Sequence, residues 1–408
     1  MKQYLKNTNI TQNYYEINND ENKDNIPNRV EAVFLDRDGT INVEVNLLHK
    51  VEDFKLIPQV GEAIKIFNNL HIPTIVVTNQ PVVARNLCDE KTVQEIHEHM
   101  KQELKKDFAY VDEIYYCPHH PEKNHAEGNP LYRIECDCRK PKPGMLLKAK
   151  NKFGFNLENC FMIGDSTRDI LAAKNAGCRS ILVKTGYGGE DKLHTVTPDY
   201  TFNNLMDAAI FIEKYNKTTI KNIIKDIQEK FSNKKQVIVL IGGCSRTGKT
   251  TLAKDIQKYF ENKKKCEILT LDNWLIDKDK RPANSKVIER FDCKEIVKSI
   301  EELLKGKDIK TYVYDINTMK RIGEEMFSSD IELLIIEGVI GLNIERLREL
   351  ADITIFKDER DEIRKLRLIE YFKDRDMTLE EKEKIIGERE IEEIPYIKES
   401  VKYAKYIY

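Results

Sequence analysis

The chain has 408 residues, enough for two or three domains at roughly 150 residues each. Hydrophobic residues make up 40% and charged residues 33%, a balance that suits packed globular domains and excludes a wholly disordered chain. The formal net charge of −2 gives no global attraction to nucleic acid, and no apolar run approaches the roughly 20 residues that cross a bilayer. The opening Met-Lys-Gln-Tyr-Leu-Lys-Asn lacks the apolar stretch of a secretory signal, so a cytoplasmic protein without membrane or nucleic-acid partners is expected.

Residues 1–28 are polar and rich in Asn, Asp, Glu and Lys, and read as a flexible tail. From 29 to 215, short apolar runs at 32–35, 74–77, 161–163 and 180–183 alternate with helical patterns such as 60–70 and 91–105. That alternation predicts a parallel sheet with helices on both faces. Residues 216–235, rich in Lys and Asn, are expected to form a helix and a linker. A second unit is expected over 236–408, opening with the apolar strand 237–241. The predicted fold class is α/β, with two parallel-sheet domains.

Three apolar runs of the first unit end directly in polar residues: Asp36, Thr78-Asn79 and Gly164-Asp165. In open α/β sheets ligands bind at the carboxyl ends of strands. The first ending reads Asp36-Arg37-Asp38-Gly39-Thr40. Side chains two apart on a strand share a face, so the spacing directs both aspartates to one cavity. Gly39 lets the chain turn as it leaves the strand. Hydrolysis of a phosphate monoester needs an acceleration of up to ~10²¹-fold. A carboxylate nucleophile with a second carboxyl as acid and base divides that task into two easier steps. Thr78 can hydrogen-bond the transferring phosphoryl group and Lys140 can neutralise it. Asp165 and Asp169 add oxygen ligands of the kind Mg²⁺ takes.

Asp36-x-Asp38-Gly-Thr, Thr78, Lys140 and Gly164-Asp-Ser-Thr-Arg-Asp169 resemble the four motifs of the haloacid dehalogenase superfamily. Residues 32–42, Val77-Thr-Asn-Gln80 and Cys138-Arg-Lys-Pro-Lys-Pro-Gly-Met145 look more narrowly like the branch of D-glycero-D-manno-heptose 1,7-bisphosphate 7-phosphatase and histidinol-phosphate phosphatase. The resemblance covers about residues 29–215. It implies Asp36 as nucleophile and Asp38 as general acid and base. It places Mg²⁺ on Asp36, the Asp38 backbone carbonyl and Asp165. It puts Thr78, Asn79 and Lys140 around the phosphate, and Arg139 and Arg85 on the substrate. The chain departs from the branch at Pro81-Val82, where Ser-Gly is usual, and at Asn86, where Gly is usual. These positions border the site, so the resemblance implies the chemistry and leaves the substrate open.

Nine cysteines are present, an odd number. Cys88, Cys160, Cys178, Cys244, Cys266 and Cys293 are scattered and read as packing or surface thiols. Cys117-Pro-His119-His120 and Cys136-Asp-Cys138 flank a polar loop. Clustered thiols in such a chain read as a metal site before they read as disulfides, and a closed Cys₃His shell suits structural Zn²⁺. The same branch carries a zinc loop of this form, which implies Cys117, His119, Cys136 and Cys138 as ligands, with His120 and His125 as competing candidates. The loop leads straight into Arg139-Lys140, so the metal would hold those residues in place.

Gly243-Cys-Ser245-Arg246-Thr247-Gly248-Lys249-Thr250 satisfies G-x-x-x-x-G-K-[ST] between a strand and a helical stretch at 252–260. The loop and the helix start that follows bind anionic oxygens, with Thr251 in that first turn. Lys249 would bridge the terminal phosphates of ATP, and Thr250 would hold Mg²⁺. Two later apolar strands end in Asp272 and Glu337, with Tyr314-Asp315 between them. These features resemble the uridine kinase and phosphoribulokinase group over about 236–408. The resemblance implies Asp272 as base for the acceptor hydroxyl, Glu337 near Mg²⁺, and Tyr314 and Asp315 near the acceptor. It implies Arg364 and Arg367 as lid residues reaching ATP. Leu368 and Tyr371 stand where such a lid often has further arginines, and Arg375 lies beyond them.

The sequence thus points to a Mg²⁺-dependent sugar (bis)phosphate phosphatase with a zinc loop, fused to an ATP-dependent sugar or nucleoside kinase. The rival readings are a histidinol-phosphate phosphatase, a polynucleotide kinase-phosphatase, and a phosphatase regulated by a non-catalytic nucleotide-binding domain.

Overall fold

The computed structural model describes residues 30–121, 128–282, 285–315, 318–372 and 379–408; the tail, His125 and Arg375 lie outside them. The chain divides into two compact units, with the boundary at Asn216/Lys217.

The first unit is built on β1 (Ala32–Leu35), β2 (Thr74–Asn79), β3 (Glu113–Cys117), β4 (Cys160–Gly164), β5 (Arg179–Val183) and β6 (Tyr200–Phe202), in the order β3-β2-β1-β4-β5-β6. Every neighbouring pair is parallel. Ala32, Val33, Phe34 and Leu35 are all fully buried, which is why this strand reads as an unbroken apolar run rather than an alternation. The chain moves outward from β1 to β3 on one side and crosses to β4 on the other. The carboxyl ends of β1 and β4 therefore flank a switch point, where an open α/β sheet leaves a crevice. The helix Glu90–Lys106 starts at Asp89, whose carboxylate accepts from Thr92 N at 2.8 Å, and buries Val93, Ile96, His97, Met100 and Leu104. The helix Thr167–Ala176 opens with a capping box between Ser166 and Asp169 and stops at Gly177 (φ 80°).

The second unit has β7 (Val237–Gly242), β8 (Cys266–Thr270), β9 (Ile309–Asp315), β10 (Lys320–Phe327), β11 (Leu333–Glu337), β12 (Ile353–Phe356) and β13 (Tyr406–Ile407). Five of them form a parallel sheet in the order β13-β12-β7-β11-β8, and β9 pairs with β10 as a separate antiparallel hairpin. The expected linker at 216–235 is largely a helix, Ile220–Phe231, capped by Thr219. Its Ile220, Ile223 and Ile227 share a core with Val237, Val239 and Ile241 of β7. Three isoleucines at helical spacing buried on one face outweigh the polar composition around them. Both units are the parallel α/β folds that the alternation implies. No helix among the described residues is long and apolar enough to cross a membrane.

Candidate active sites

The carboxyl ends of β1, β2 and β4 line a cavity of about 200 Å³. Asp36, Asp38, Thr78, Asn79, Arg85, Arg139, Lys140, Asp165 and Asp169 all contribute to its wall. Lys140 is 2% exposed, and its Nζ lies 2.8 Å from Asp36 Oδ1 and 2.7 Å from Asp169 Oδ1 while donating to Val77 O at 2.8 Å. Carboxylate oxygens of Asp36, Asp165 and Asp169 lie within 4.8 Å of one another. Burial first, and then the charge of Asp169, push the carboxyls of Asp36 and Asp165 upward. A single lysine does not balance three crowded carboxylates, and this hard-oxygen donor set fits a divalent cation such as Mg²⁺. Backbone geometry makes the room. A Cβ on Gly39 (φ +79°) would sit 2.2 Å from Asp165 Oδ2, so only glycine lets these two strand ends approach. Asp169 has two tasks: its Oδ2 caps Ser166 N at 3.1 Å while its other oxygen meets Lys140.

Asp38 stands apart from this acidic group. Arg37 is fully buried and grips it from two nitrogens, with Nη2 at 3.0 and 2.9 Å from its two oxygens and Nε at 3.2 Å. Asn42 Nδ2 donates at 2.9 Å and Gln80 Nε2 at 2.8 Å. Burial would raise the Asp38 carboxyl, but the Arg37 charge and these donors outweigh it and hold it below the usual carboxylate range. Gln80 Nε2 also donates to Thr78 Oγ1 at 2.9 Å, so one amide fixes both side chains.

The thiols and one imidazole converge beside this site. Cys136 Sγ lies 3.5 Å from Cys117 Sγ and 3.3 Å from Cys138 Sγ, and His119 Nδ1 lies 3.4 Å from Cys138 Sγ and 3.8 Å from Cys117 Sγ. With Zn–S bonds of about 2.3 Å, a tetrahedron has sulfur–sulfur edges of about 3.8 Å, a few tenths of an ångström longer than those here, so the shell would open slightly to hold Zn²⁺. His120 is not in the shell; it lines the phosphatase cavity instead. Arg139 Nη1 donates to His119 O at 3.2 Å, which ties the substrate side of the cavity to the cysteine loop.

In the second unit Gly243–Thr250 leaves β7 and enters the helix Lys249–Phe260. A Cβ on Gly243 (φ +134°) would lie 2.3 Å from Lys357 O. Lys249 Nζ and Thr247 Oγ1 both donate to Cys244 O, at 2.8 and 2.9 Å, which curls the loop around its own carbonyl. The buried Ser245 hydroxyl has no hydrogen-bond partner among the described residues. Thr250 Oγ1 donates to Glu337 Oε1 at 3.0 Å, bringing together the two residues expected around a second Mg²⁺. Asp272 is the second residue of a 3₁₀ turn, Leu271–Trp274, that follows β8. Surrounding protein atoms first, then the Glu337 charge, push its carboxyl up, although its side chain stays open to solvent. The Tyr314 hydroxyl accepts from Arg281 Nη2 at 2.6 Å.

The HAD-hydrolase-like family model matches residues 137–208. The D-glycero-β-D-manno-heptose-1,7-bisphosphate 7-phosphatase of Haemophilus ducreyi is 38% identical over 188 residues, 45% of this chain and 98% of that protein. Its counterpart from Escherichia coli K12 is 37% identical, over 46% of this chain and 96% of its own length. The chain belongs to the HAD-like hydrolases. Residues 237–408 match the Phosphoribulokinase / Uridine kinase family. Among solved structures, the D,D-heptose 1,7-bisphosphate phosphatase of B. bronchiseptica, complexed with magnesium and phosphate, is 30% identical over 45% of this chain and 97% of its own, with a TM-score of 0.39. The protein is thus an enzyme in which a HAD-like phosphatase domain precedes a kinase-family domain.

Three expected ligand contacts look different in the HAD-like and kinase-family domains. The amide of Asn79, expected on the phosphate, is spent at both ends on Lys140: Nδ2 donates to its carbonyl and Oδ1 accepts from its N–H, each at 3.0 Å. Asn79 thus fixes the Lys140 backbone while still lining the cavity. Arg364, expected to reach ATP, is fully buried and paired with Asp361 and Glu390, because it lies on the inward face of its helix. Arg367 does lie at the phosphate loop, donating to Arg246 O at 3.3 Å. Asp315 Oδ2 accepts from Thr318 N and Oγ1 at 3.1 and 2.7 Å. Sequence alone points to no role for Arg37, Asn42, Gln80 or Arg168. Arg37 lies between the paired aspartates, Asn42 four residues after the second and Gln80 at the end of Val77-Thr-Asn-Gln80, but their partners are set by tertiary geometry.

Proposed function

We propose that the HAD-like domain is a Mg²⁺-dependent phosphatase of a sugar bisphosphate, of the heptose 1,7-bisphosphate kind, acting through an aspartyl-phosphate. The observation that carries this reading is the meeting of Asp36, Asp38, Thr78, Lys140 and Asp165 around one cavity. Asp36 attacks phosphorus, and Asp38 gives its proton to the departing alcohol oxygen. Water then attacks the aspartyl-phosphate, and Asp38 takes back a proton. Arg37 and the side-chain donors hold the Asp38 carboxyl below the usual carboxylate range, so the proton that it gives is one taken up from solvent as the substrate binds. An arriving phosphate brings negative charge beside it and raises its proton affinity, which suits the acid step. Lys140 and Thr78 meet the charge on the phosphoryl oxygens. A divalent cation on Asp36 and Asp165 would supply further charge stabilisation at those oxygens. Zn²⁺ on Cys117, His119, Cys136 and Cys138 would hold the loop that carries Arg139.

The kinase-family domain is read as an ATP-dependent kinase of a sugar or nucleoside. Lys249, Ser245 and the loop amides would receive phosphate, Thr250 and Glu337 would hold Mg²⁺, and Asp272 would take the acceptor proton. In the fused protein one domain would phosphorylate a sugar phosphate at one hydroxyl and the other would remove phosphate from another.

The decisive experiment is a phosphatase screen across both anomers of heptose 1,7-bisphosphate, histidinol phosphate and a 3′-phosphorylated oligonucleotide, with Asp36→Asn alongside. Hydrolysis of a bisphosphate that Asp36→Asn abolishes supports the reading. Preference for histidinol phosphate or the oligonucleotide replaces it. For the kinase domain, ATP binding without any phosphate transfer to heptose 7-phosphate, in wild type as in Asp272→Asn, would favour a purely regulatory second domain.

A further inference from the structure

Glu393 in the kinase-family domain is a carboxylate where a core residue would stand. It is 5% exposed, and Ile394 and Ile397, which follow it, are packed into the interior. A buried charge is costly unless it is both paired and hydrogen-bonded. Glu393 is only half provided for. Its Oε2 faces two guanidiniums, with Arg290 Nη1 and Arg389 Nε each at 3.9 Å, close enough for attraction and too far for a hydrogen bond. Arg290 is held back from closing that gap, because its Nε donates to Ser285 O at 3.3 Å and its Nη2 to Glu392 Oε2 at 3.5 Å. Glu393 Oε1 is buried and has no hydrogen-bond partner among the described residues. The backbone here is unusual as well. Arg389–Glu393 form a π-helical turn between the helices Leu379–Glu388 and Ile394–Lys398, with Ile394 N donating to Arg389 O. Single π turns are rare within helices and recur at functional sites.

Two groups of the phosphoryl-transfer site lie within reach of this carboxylate. Burial first, then Glu337 and in smaller part Glu393, push the Asp272 carboxyl up. Burial first, with Asp361 and Glu393 adding to it, pushes up the thiol of Cys244, the second residue of the phosphate loop. Glu393 therefore adjoins both the loop and the base. A buried acceptor oxygen in that position calls for a donor that arrives with the ligand. A neutral donor fits: a phosphate would be repelled by Glu393 itself, and an ammonium by Arg290 and Arg389. We propose that Glu393 Oε1 accepts a hydrogen bond from the acceptor hydroxyl next to the one that is phosphorylated, so that the kinase-family domain takes acceptors with a vicinal diol and Glu393 is a specificity-determining residue for them. This rests on the kinase reading given above and names the acceptor class of that site. In a heptose 7-phosphate that receives phosphate at O1, the hydroxyl bound by Glu393 is O2. The two carboxylates divide the work: Asp272 takes the proton of the attacking hydroxyl, and Glu393 orients the sugar that carries it. An acceptor without the second hydroxyl is rejected, because it leaves the Glu393 oxygen buried and unpaired.

The test is the ratio of kcat/KM for heptose 7-phosphate to that for its 2-deoxy analogue. It is measured on the full chain with ATP and Mg²⁺, as ADP released above the rate without acceptor. The ratio is independent of the fraction of correctly folded protein, because both sugars are measured on one preparation. Wild type is expected to prefer the complete sugar by on the order of tenfold to a hundredfold, the worth of a hydrogen bond to a charged group. Glu393→Ala is expected to bring the ratio to within about threefold of one, with the loss falling on the complete sugar. Glu393→Gln, which keeps an acceptor oxygen without the charge, is expected to fall between. A wild-type ratio near one, or a ratio that Glu393→Ala leaves unchanged, overturns the proposal. So does a wild type that prefers uridine to the sugar, since the 5′-hydroxyl of uridine has no hydroxyl on the next carbon. Loss of all transfer in both variants with ATP still bound also overturns it, because a group that holds a second hydroxyl does not carry the proton. A wild type that transfers phosphate to neither the sugar nor uridine overturns the underlying kinase reading instead.

Discussion

His97 offers a clean test of how the phosphatase domain holds its charges. It lies on the inward face of the helix Glu90–Lys106, 4% exposed, with its ring edge-on to Tyr116 at 5.4 Å and no partner for Nε2 among the described residues. Burial first, and then the Arg37 charge, lower its pKa from 6.5 to about 3. A base whose folded pKa lies below its unfolded one gives stability that is complete above the unfolded value and lost as pH falls towards the folded one. At about pH 5 the unfolded chain has bound a proton that the folded chain refuses, and about 1.5 pK units at about 1.36 kcal/mol each is a loss of about 2 kcal/mol. For a domain of this size that is about 4–8 °C in Tm. Asp36 and Asp165 are shifted upward and act in the opposite sense, gaining stability as pH falls. The informative quantity is therefore a difference between proteins. His97→Phe keeps an aromatic ring against Tyr116 but cannot be protonated. Thermal melts of the two proteins at about pH 7.5 and about pH 5 should show the wild type losing about 4–8 °C more than the variant. Equal losses in both would refute the claim that a neutral buried histidine sets this acid limit.

Gly39→Ala should cost most of the phosphatase activity, because the new methyl group meets Asp165 Oδ2 at 2.2 Å in a backbone region strained for alanine; phosphatase rates beside unchanged ATP binding would check this. Cys138→Ser should reduce bound zinc, read by metal analysis, and should raise KM more than it lowers kcat, since Arg139 is hung from the His119 carbonyl. Ile223→Ala should destabilise the kinase-family domain by about 2–5 kcal/mol, the range for emptying a packed core position, because Ile223 is fully buried against β7. In a denaturant melt followed by ATP binding and phosphatase activity, only the ATP-binding transition should move to lower denaturant. Movement of both would refute the boundary at Asn216/Lys217.

Local chemistry was legible in the amino-acid sequence. The paired aspartates at i and i+2, the strand-end Thr78 and Asp165, the Cys-x-His and Cys-x-Cys pairs and the phosphate loop are short-range patterns. In each, spacing alone sets which way neighbouring side chains point. Continuous apolar runs marked β1, β2, β4 and β7, because central parallel strands are buried on both faces. Tertiary structure decided the rest, since it depends on which distant segments meet. The edge strands β3 and β6 carry little apolar pattern, and the helix Ile220–Phe231 hides three core isoleucines in a polar stretch. No spacing rule shows that Gln80 bridges Asp38 and Thr78, that Asn79 clamps Lys140, or that Arg364 turns inward. Composition cannot place Arg85, Arg139 and Arg168 on one cavity wall either. Their convergence follows from helices and loops that the sheet order β3-β2-β1-β4-β5-β6 gathers at one end, and long-range packing alone fixes that order.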